Sequence, residues 1–163
     1  MPEKSSLYLE TTIPSYLASC PSRDLIVAAH QQITHDWWLQ ERDIFNLFIS
    51  EVVLDEISSG DLDASRRRQS FVENLSILTL TDEVATLAED YQNQLELPPN
   101  AQLDALHLAY AVIYEIDYLL TWNCKHIANG VIIQRLQTIN IASSRHTPII
   151  VTPEELFASP EGE

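Results

Sequence analysis

The stretch Asp104-Ala-Leu-His-Leu-Ala-Tyr-Ala111, followed by Tyr118-Leu-Leu-Thr-Trp-Asn123, decides the fold of this chain. The first part has the spacing of a helix that carries one carboxylate in its first turn. The second part is typical of a short buried strand that ends in polar residues. A helix that turns back into a strand indicates an α/β fold, in which the polar ends of both elements could lie side by side.

The composition is that of a single acidic domain. The chain has 163 residues, of which 45% are hydrophobic. We therefore expect one domain with a sizeable core over residues 1–158 and a short tail at residues 159–163. The formal net charge of −15 argues against nucleic-acid binding by bulk electrostatics, although a bound metal ion can invert the field locally.

Cysteine content and hydropathy predict a reduced, cytoplasmic protein. The two cysteines, Cys20 and Cys124, are far apart, and the sequence has no C-x-x-C pair. The N-terminus lacks the basic-then-apolar pattern of a secretion signal, and no run approaches the roughly 18 apolar residues of a membrane span. With 3 glycines, a glycine-rich phosphate loop is not expected.

Strands and helices alternate along the sequence. Strands are expected at residues 6–10, 43–49, 118–121 and 147–151, and residues 77–80 are either a short edge strand or an extended linker. Helices are expected at residues 15–19, 25–41, 50–57, 61–74, 82–95, 100–113 and 131–142, although the Val and Ile content of the last range also permits a strand. This alternation predicts a mostly parallel sheet covered on both faces, with functional groups at the carboxyl ends of its strands. In the sixth helix, the apolar stripe is expected at Leu103, Leu106, Ala109, Tyr110 and Ile113.

Polar side chains are predicted to meet at one edge of this sheet. Glu10 and Asn123 follow predicted strands, and Asp104 lies in a first helical turn that can face the same edge. Converging carboxylates repel one another unless a cation lies among them. Mg²⁺ and Mn²⁺ prefer oxygen ligands, and such ions can activate water for phosphodiester hydrolysis.

A further acid, Glu56, is less well fixed by the sequence. It lies near the end of its predicted helix, so neighbouring Asp55 or Glu51 could take its place. The spacing between Glu10, Glu56 and Asp104 is too long for a local motif. Composition and spacing alone therefore leave the metal site a hypothesis.

Four short segments resemble the motifs of the PIN-domain family. Leu9-Glu10-Thr11-Thr12 resembles the first motif, a strand that ends in an acid followed by Thr or Ser. The second motif is similar to Ser50-Glu-Val-Val-Leu-Asp-Glu56-Ile57, and the third, the most specific, to Asp104-Ala-Leu-His-Leu-Ala-Tyr-Ala111. Leu120-Thr121-Trp-Asn123-Cys-Lys-His126 resembles the fourth motif. The resemblance spans roughly residues 6–151.

This resemblance implies a three-layer, Rossmann-like α/β domain with metal-dependent ribonuclease activity. It assigns the catalytic and metal-binding roles to Glu10, Glu56, Asp104 and Asn123, with Mg²⁺ or Mn²⁺ as the cofactor. The family includes toxins of the VapC type, which implies an RNA substrate, an antitoxin and a homodimer. The acidity of the chain favours a basic partner protein. Glu10 and Asn123 depart from the family pattern, since aspartate is usual at both positions.

Other polar residues have two possible roles each. Thr12 and Thr121 either orient the acids or only bond to the backbone. His107, three residues after Asp104, is expected to support the site as a structural histidine. The basic run in the fourth helix is either a solvated face or a phosphate contact, and its members are Arg66, Arg67 and Arg68.

Two functions of different classes remain open. The motifs around Glu56 and Asp104 favour an active nuclease, which needs the carboxylates and the metal together. The acidic charge and Asn123 favour a non-catalytic PIN-like module that binds a protein or a nucleic acid. A phosphatase that forms an aspartyl phosphate is not favoured, because it needs aspartate where Glu10 stands.

Overall fold

A wholly parallel five-stranded sheet forms the middle layer of the protein. The structure, a computed structural model, describes residues 3–158. The strands lie in the order β3-β2-β1-β4-β5. They are β1 (Ser5–Leu9), β2 (Phe45–Ser50), β3 (Ser76–Leu78), β4 (Tyr118–Leu120) and β5 (Ile149–Val151). The predicted α/β class is confirmed, and the sheet is parallel throughout rather than only mostly so.

Helices cover the sheet and complete three layers. They are α1 (Thr12–Ala18), α2 (Leu25–Glu41), α3 (Glu51–Ile57), α4 (Leu62–Val72), α5 (Asp82–Gln94), α6 (Gln102–Ile113) and α7 (Gly130–Ala142). Helix α5 packs along α6, while α1 packs against α2 and α4. Over the described residues, none of these helices is both long and apolar enough to cross a membrane. The tail predicted at residues 159–163 lies outside the described residues.

The pairing of the central strand β1 with β4 sets the position of the residues that follow both strands at the carboxyl edge of the sheet. Leu7, Tyr8 and Leu9 are fully buried, because β2 and β4 flank the strand and helices cover the sheet. Leu9 is paired with Leu120, and the Glu10 N–H continues the ladder by donating to the Leu120 carbonyl at 3.1 Å. Strands β1 and β4 therefore end together, and the residues that follow them are neighbours.

Side-chain caps set several helix starts where the sequence predicts them. The Asp24 carboxylate accepts from two backbone N–H groups at the start of α2, whose predicted range of 25–41 is confirmed. The hydroxyls of Ser50 and Thr81 accept from backbone N–H groups at the starts of α3 and α5. Each cap satisfies donors that the first helical turn leaves unpaired.

Two sequence predictions about helices are wrong. Helix α1 begins at Thr12 rather than at residue 15, which Pro14 permits because first-turn N–H groups have no partner within a helix. The expected apolar stripe of α6 is wrong at Leu103, which is 45% exposed, and too narrow, because residues 107–112 are all buried; its other members lie in or against the core. Surrounded by α5, α3 and the protein core, α6 is covered on most sides and does not follow a one-faced pattern.

Two arginines of α4, Arg67 and Arg68, donate hydrogen bonds to carbonyls at the ends of α1 and α3. Arg67 Nε donates to the Ala18 carbonyl at the end of α1 at 3.3 Å. Arg68 donates through Nε to the Ile57 carbonyl at 3.1 Å and through Nη2 to the Ser59 carbonyl at 2.7 Å. Cations suit the carbonyl ends of helices. Arg66 is exposed and makes no hydrogen bond or ion pair within residues 3–158.

Replacing Arg68 with Met should destabilise the protein by about 1 kcal/mol, because the carbonyls at the end of α3 lose a cationic donor. Urea denaturation would measure the change in the free energy of unfolding. The control is Arg66→Met in the same helix, which should change it by less than about 0.5 kcal/mol. Equal losses in the two variants would contradict the capping role of Arg68.

Candidate functional site

Two acids predicted from the sequence, Glu10 and Glu56, lie within 4.0 Å of one buried histidine, His107. His107 Nε2 lies 2.7 Å from Glu56 Oε1 and 4.0 Å from Glu10 Oε2. The charge of Asp104 also acts on the imidazole. Glu10 follows β1, Glu56 lies in the last turn of α3, and Asp104 lies in the first turn of α6. The sheet and two helices thus bring together acids that are far apart in sequence.

Glu10 is the most deeply buried of these acids, and one of its oxygens is fully engaged. Oε1 accepts from Thr12 Oγ1 at 2.5 Å, from Thr12 N at 3.2 Å and from Thr121 Oγ1 at 2.6 Å. The two threonine hydroxyls in turn accept from the N–H groups of Trp122 and Asn123. Among the described residues no group donates a hydrogen bond to Oε2, which belongs to a side chain only 5% exposed and lies 4.0 Å from His107 Nε2.

Glu56 is held by partners from two other elements. Its Oε1 accepts from Thr11 Oγ1 and from His107 Nε2, both at 2.7 Å. Burial acts to raise the pKa of this carboxyl, but the hydrogen bond and charge of His107 outweigh burial and lower the pKa. The two acids that the sequence offered in place of Glu56 are not in this cluster. Asp55 is exposed, and Glu51 Oε2 accepts from Leu80 N at 2.8 Å.

Burial and the neighbouring acids have opposite effects on the pKa of His107. Burial alone would lower its pKa, because it disfavours the imidazolium. The hydrogen bond to Glu56 and the charges of Glu10, Glu56 and Asp104 overcome this effect and raise the pKa. A protonated imidazole thus offsets part of the repulsion among the carboxylates.

Asp104 has its own pair of partners from the segment that follows β4. Asn123 Nδ2 donates to Asp104 Oδ1 at 3.0 Å, and His126 Nδ1 lies 2.9 Å from Asp104 Oδ2. The side-chain oxygen of Asn123, Oδ1, accepts from the His126 backbone N–H at 3.0 Å, and this bond fixes the orientation of the side-chain amide. Asn123, predicted as a metal ligand, is here a donor that positions Asp104.

Trp122, which lies between Thr121 and Asn123, is held in place by stacking with two aromatic rings. The Trp122 ring lies nearly parallel to His30, with centroids 3.9 Å apart, and is stacked with Tyr16 at 6.2 Å. Its Nε1 donates to Thr34 Oγ1 at 2.7 Å, and its backbone N–H donates to Thr12 Oγ1 at 2.9 Å. The loop after β4 is therefore fixed by both side chain and backbone.

Several residues of the site were missed by sequence reasoning. Tyr8 contacts His107, Thr11 binds Glu56, and His126 contacts Asp104. One signal was present for Tyr8, because residues two apart in a strand point to the same face, and Tyr8 precedes Glu10 by two. No comparable signal pairs Thr11 with Glu56, 45 residues away.

The oxygen donors fit a hard divalent ion in kind. Mg²⁺ keeps several waters and commonly binds to only one or two carboxylates. Glu10 Oε2, which accepts no hydrogen bond among the described residues and lies 4.0 Å from His107 Nε2, is an oxygen of the kind such an ion binds. Within residues 3–158, no three His, Cys, Asp or Glu side chains are grouped closely enough to hold one ion. The acids are instead bonded to His107, Asn123 and His126.

Comparisons with known proteins agree with this architecture. The family model described as PIN domain matches residues 21–124, a range that contains Glu56, Asp104 and Asn123 and begins after Glu10. The fold is similar to the crystal structure of VapBC2 from Rickettsia felis bound to a DNA fragment from their promoter. That match has a TM-score of 0.57 and 16% identity, and covers 90% of this chain and 97% of the other. No curated protein matches the sequence.

The Glu56→Gln variant should show a pH-dependent loss of stability in metal-free buffer. Glu56 stabilises the fold above its ordinary pKa of 4.5, and this contribution is lost as the pH falls through its lowered folded pKa. His107 stabilises the fold below its ordinary pKa of 6.5, and this contribution is lost as the pH rises through its raised folded pKa. Both act between about pH 4.5 and 6.5, where the variant should differ most from the wild type.

Urea denaturation at a series of pH values would measure this difference in the free energy of unfolding. Asp55→Asn is the matched control, because Asp55 is an exposed acid of the same helix without a hydrogen bond or ion pair in the described part of the chain. The change in the free energy of unfolding caused by Asp55→Asn should vary little with pH. A pH-independent loss for Glu56→Gln would argue against the ion pair with His107.

Proposed function

The chain belongs to the PIN domain family, and from this premise we propose that it is a metal-dependent endoribonuclease acting in the cytoplasm. One observation carries the proposal. Glu10 and Glu56, the acids of the first two motifs, lie within 4.0 Å of the buried His107 at the carboxyl edge of the sheet, and the charge of Asp104, the acid of the third, acts on the same imidazole. Carboxylates gathered at one edge of a sheet suit an exchangeable cation.

The proposed ligands of that cation are Glu10, Glu56 and Asp104, with Asn123 beside them. Because no three such side chains are grouped closely enough within residues 3–158, the proposal requires these side chains to move together when the ion binds. A bound Mg²⁺ or Mn²⁺ supplies activation of a water molecule and stabilisation of the leaving oxygen of a phosphodiester. Thr12 and Thr121 hold Glu10 Oε1, so that Oε2 faces the cluster. With water as the nucleophile, no covalent enzyme intermediate forms, and the product carries a 5′-phosphate.

The charge of the chain bears on how RNA would bind. At −15, the protein repels a polyanion over most of its surface, so binding depends on the ion at the site and on local cations. The exposed Arg66 is the proposed phosphate contact among the α4 arginines, because Arg67 and Arg68 are engaged with carbonyls. Affinity for RNA should consequently depend strongly on divalent ions.

We further propose that the protein is the toxin of a toxin–antitoxin pair and forms a homodimer. The similarity in fold to VapBC2 supports the pairing. The net charge of −15 supports a basic partner, since opposite charges steer association.

A second candidate function is a PIN-like module that binds a partner without cleaving RNA. The amide of Asn123 favours it, because one negative charge is missing from the edge and Asn123 donates to Asp104. The long side chain of Glu10, held by three donors, also departs from the family pattern. A binding module would bind its partner equally well with and without divalent ions.

Cleavage of labelled single-stranded RNAs in Mg²⁺ or Mn²⁺ would test the nuclease proposal. The wild type should cut RNA to 5′-phosphate products, and EDTA should abolish cleavage. Asp104→Asn should reduce the rate at least about 100-fold, because the site loses a carboxylate.

Asp82→Asn is the control for this experiment, since Asp82 is an exposed acid in the first turn of α5, the neighbouring helix. It should cleave RNA like the wild type. If Mn²⁺ titration shows no binding to the wild type and no RNA is cut, the nuclease proposal is wrong and the binding module is favoured.

Replacing Asn123 with Asp should make the protein more dependent on the metal. Without divalent ions, the introduced carboxylate would repel Asp104 in place of the present hydrogen bond and lower the melting temperature. With Mn²⁺, the added carboxylate should give a larger rise in melting temperature than in the wild type. Thermal denaturation with EDTA and with Mn²⁺ would measure both melting temperatures. The control is Asn129→Asp, which changes an N-cap residue outside the site. Equal Mn²⁺ shifts in wild type and N123D would contradict a metal at this edge.

A further inference from the structure

We propose that Tyr16 and His30 form a platform on which an unpaired base of the RNA stacks, beside the carboxyl edge of the sheet. This inference rests on the proposed function, because it names the residues that hold a nucleotide of the substrate next to the acids. Stacking itself needs no cleavage, so the platform can be tested by RNA binding whether or not the RNA is cut.

Both rings of the platform are stacked on Trp122, whose own position is fixed. His30 makes an angle of 11° with the Trp122 ring, with the centroids 3.9 Å apart, and Tyr16 makes an angle of 20° at 6.2 Å. Trp122 is only 8% exposed, and its Nε1 donates to Thr34 Oγ1 at 2.7 Å. Tyr16 and His30, in contrast, are half-buried. A buried indole thus orients two rings that reach the surface.

The platform lies next to the first acid of the site. Tyr16 follows Thr12 by four residues in α1, so the two side chains lie on the same side of the helix. Thr12 Oγ1 donates to Glu10 Oε1 and accepts from Trp122 N. Burial raises the pKa of the Tyr16 phenol, and the charges of Cys124 and Glu10 add to this effect, so the phenol is close to both. A nucleotide stacked on Tyr16 would therefore lie beside the acidic edge.

The polar atoms of both rings are free to bind a ligand. Within residues 3–158, the side chains of Tyr16 and His30 make no hydrogen bond, although their backbone carbonyls accept from the hydroxyls of Ser19 and Thr34, respectively. A phenol can donate and accept, and a neutral imidazole has one donor and one acceptor. Unpaired bases are recognised by stacking together with hydrogen bonds to their edges. The two rings offer both kinds of contact.

The charge of the chain makes stacking an important part of RNA binding. A protein with a net charge of −15 has few cations with which to bind phosphates. The face of a base stacks on an aromatic ring without needing a charge on the protein, and every base has such a face. The platform therefore supplies affinity that the surface charge of this protein cannot.

The competing occupant is a cationic side chain of a partner protein, because guanidinium and ammonium groups also lie on aromatic rings. Lys125 is exposed and makes no hydrogen bond or ion pair in the described part of the chain. It directly follows Cys124, a neighbour of Tyr16, so a positive charge lies near the platform. This charge repels a cationic side chain and attracts the phosphate of a nucleotide. The platform therefore suits a nucleotide better.

Fluorescence anisotropy of a labelled oligoadenylate in Mg²⁺ would measure RNA binding. All proteins carry Asp104→Asn, which is expected to leave the RNA intact during the measurement. Tyr16→Leu and His30→Leu each remove one ring, and Tyr16→Phe keeps it. The control is Phe71→Leu, because Phe71 is a half-buried ring packed edge-on against Trp38, near the starts of β2 and β3 and away from the carboxyl edge.

Tyr16→Leu and His30→Leu should each weaken RNA binding at least about 5-fold, because the base loses a stacking partner. Tyr16→Phe and Phe71→Leu should bind RNA like the Asp104→Asn parent. A strand of abasic residues with the same number of phosphates should bind to the parent at least about 5-fold more weakly than oligoadenylate, and this difference should shrink in Tyr16→Leu. The comparison of the two strands on the parent protein also serves if the ring variants fold poorly.

The outcomes separate this inference from the proposed function. Equal RNA affinity of Tyr16→Leu and Phe71→Leu, or equal affinity of the parent for the intact and abasic strands, overturns the inference, and the nuclease proposal stands if the wild type cuts RNA. The expected losses of affinity without any cleavage by the wild type support the platform and refute the nuclease. If Tyr16→Leu loses affinity for an oligoarginine peptide but not for RNA, the rings bind a basic protein segment and the inference is overturned. A wild type that neither binds nor cuts RNA refutes both.

Discussion

The burial of the Glu10 carboxylate is the constraint on which the carboxyl edge of the sheet depends. A charged group at the end of a fully buried central strand is costly unless donors surround it. Thr12 and Thr121 supply those donors, and their hydroxyls are fixed by the backbone of Trp122 and Asn123. Because β4 ends beside β1, the loop after β4 both satisfies Glu10 and presents Asn123 to Asp104.

Glu10 and Asn123, where the PIN pattern usually has aspartate, each form hydrogen bonds that suit their own side chains. Glutamate at position 10 reaches one methylene further than aspartate, and three donors hold the longer side chain in place. Asparagine at position 123 can donate to Asp104, which a carboxylate could not do. His126 contacts the other Asp104 oxygen. Asp104 therefore has an amide and an imidazole as partners, both from the segment that follows β4.

The sequence predicted those parts of the site that local pattern determines. Strand ends placed Glu10 and Asn123 at one edge, and the first turn of α6 placed Asp104 beside them. The sequence could not position Glu56, because its direction depends on His107, 51 residues away, and on the anchoring of α3 by Arg68. The burial of α6 was mispredicted for a related reason, since contacts with several elements override a one-faced stripe.

The separation in sequence of the groups around Glu10 has a consequence for synthesis of the protein. Strand β1 is made first, yet the hydroxyl of Thr121 that binds Glu10 comes from a residue 111 positions later. A nascent or truncated chain that stops before β4 leaves the central strand without its β4 neighbour and Glu10 without the Thr121 donor. The acidic edge therefore assembles only when most of the polypeptide has been translated, so an incomplete product carries the first acid without a formed site.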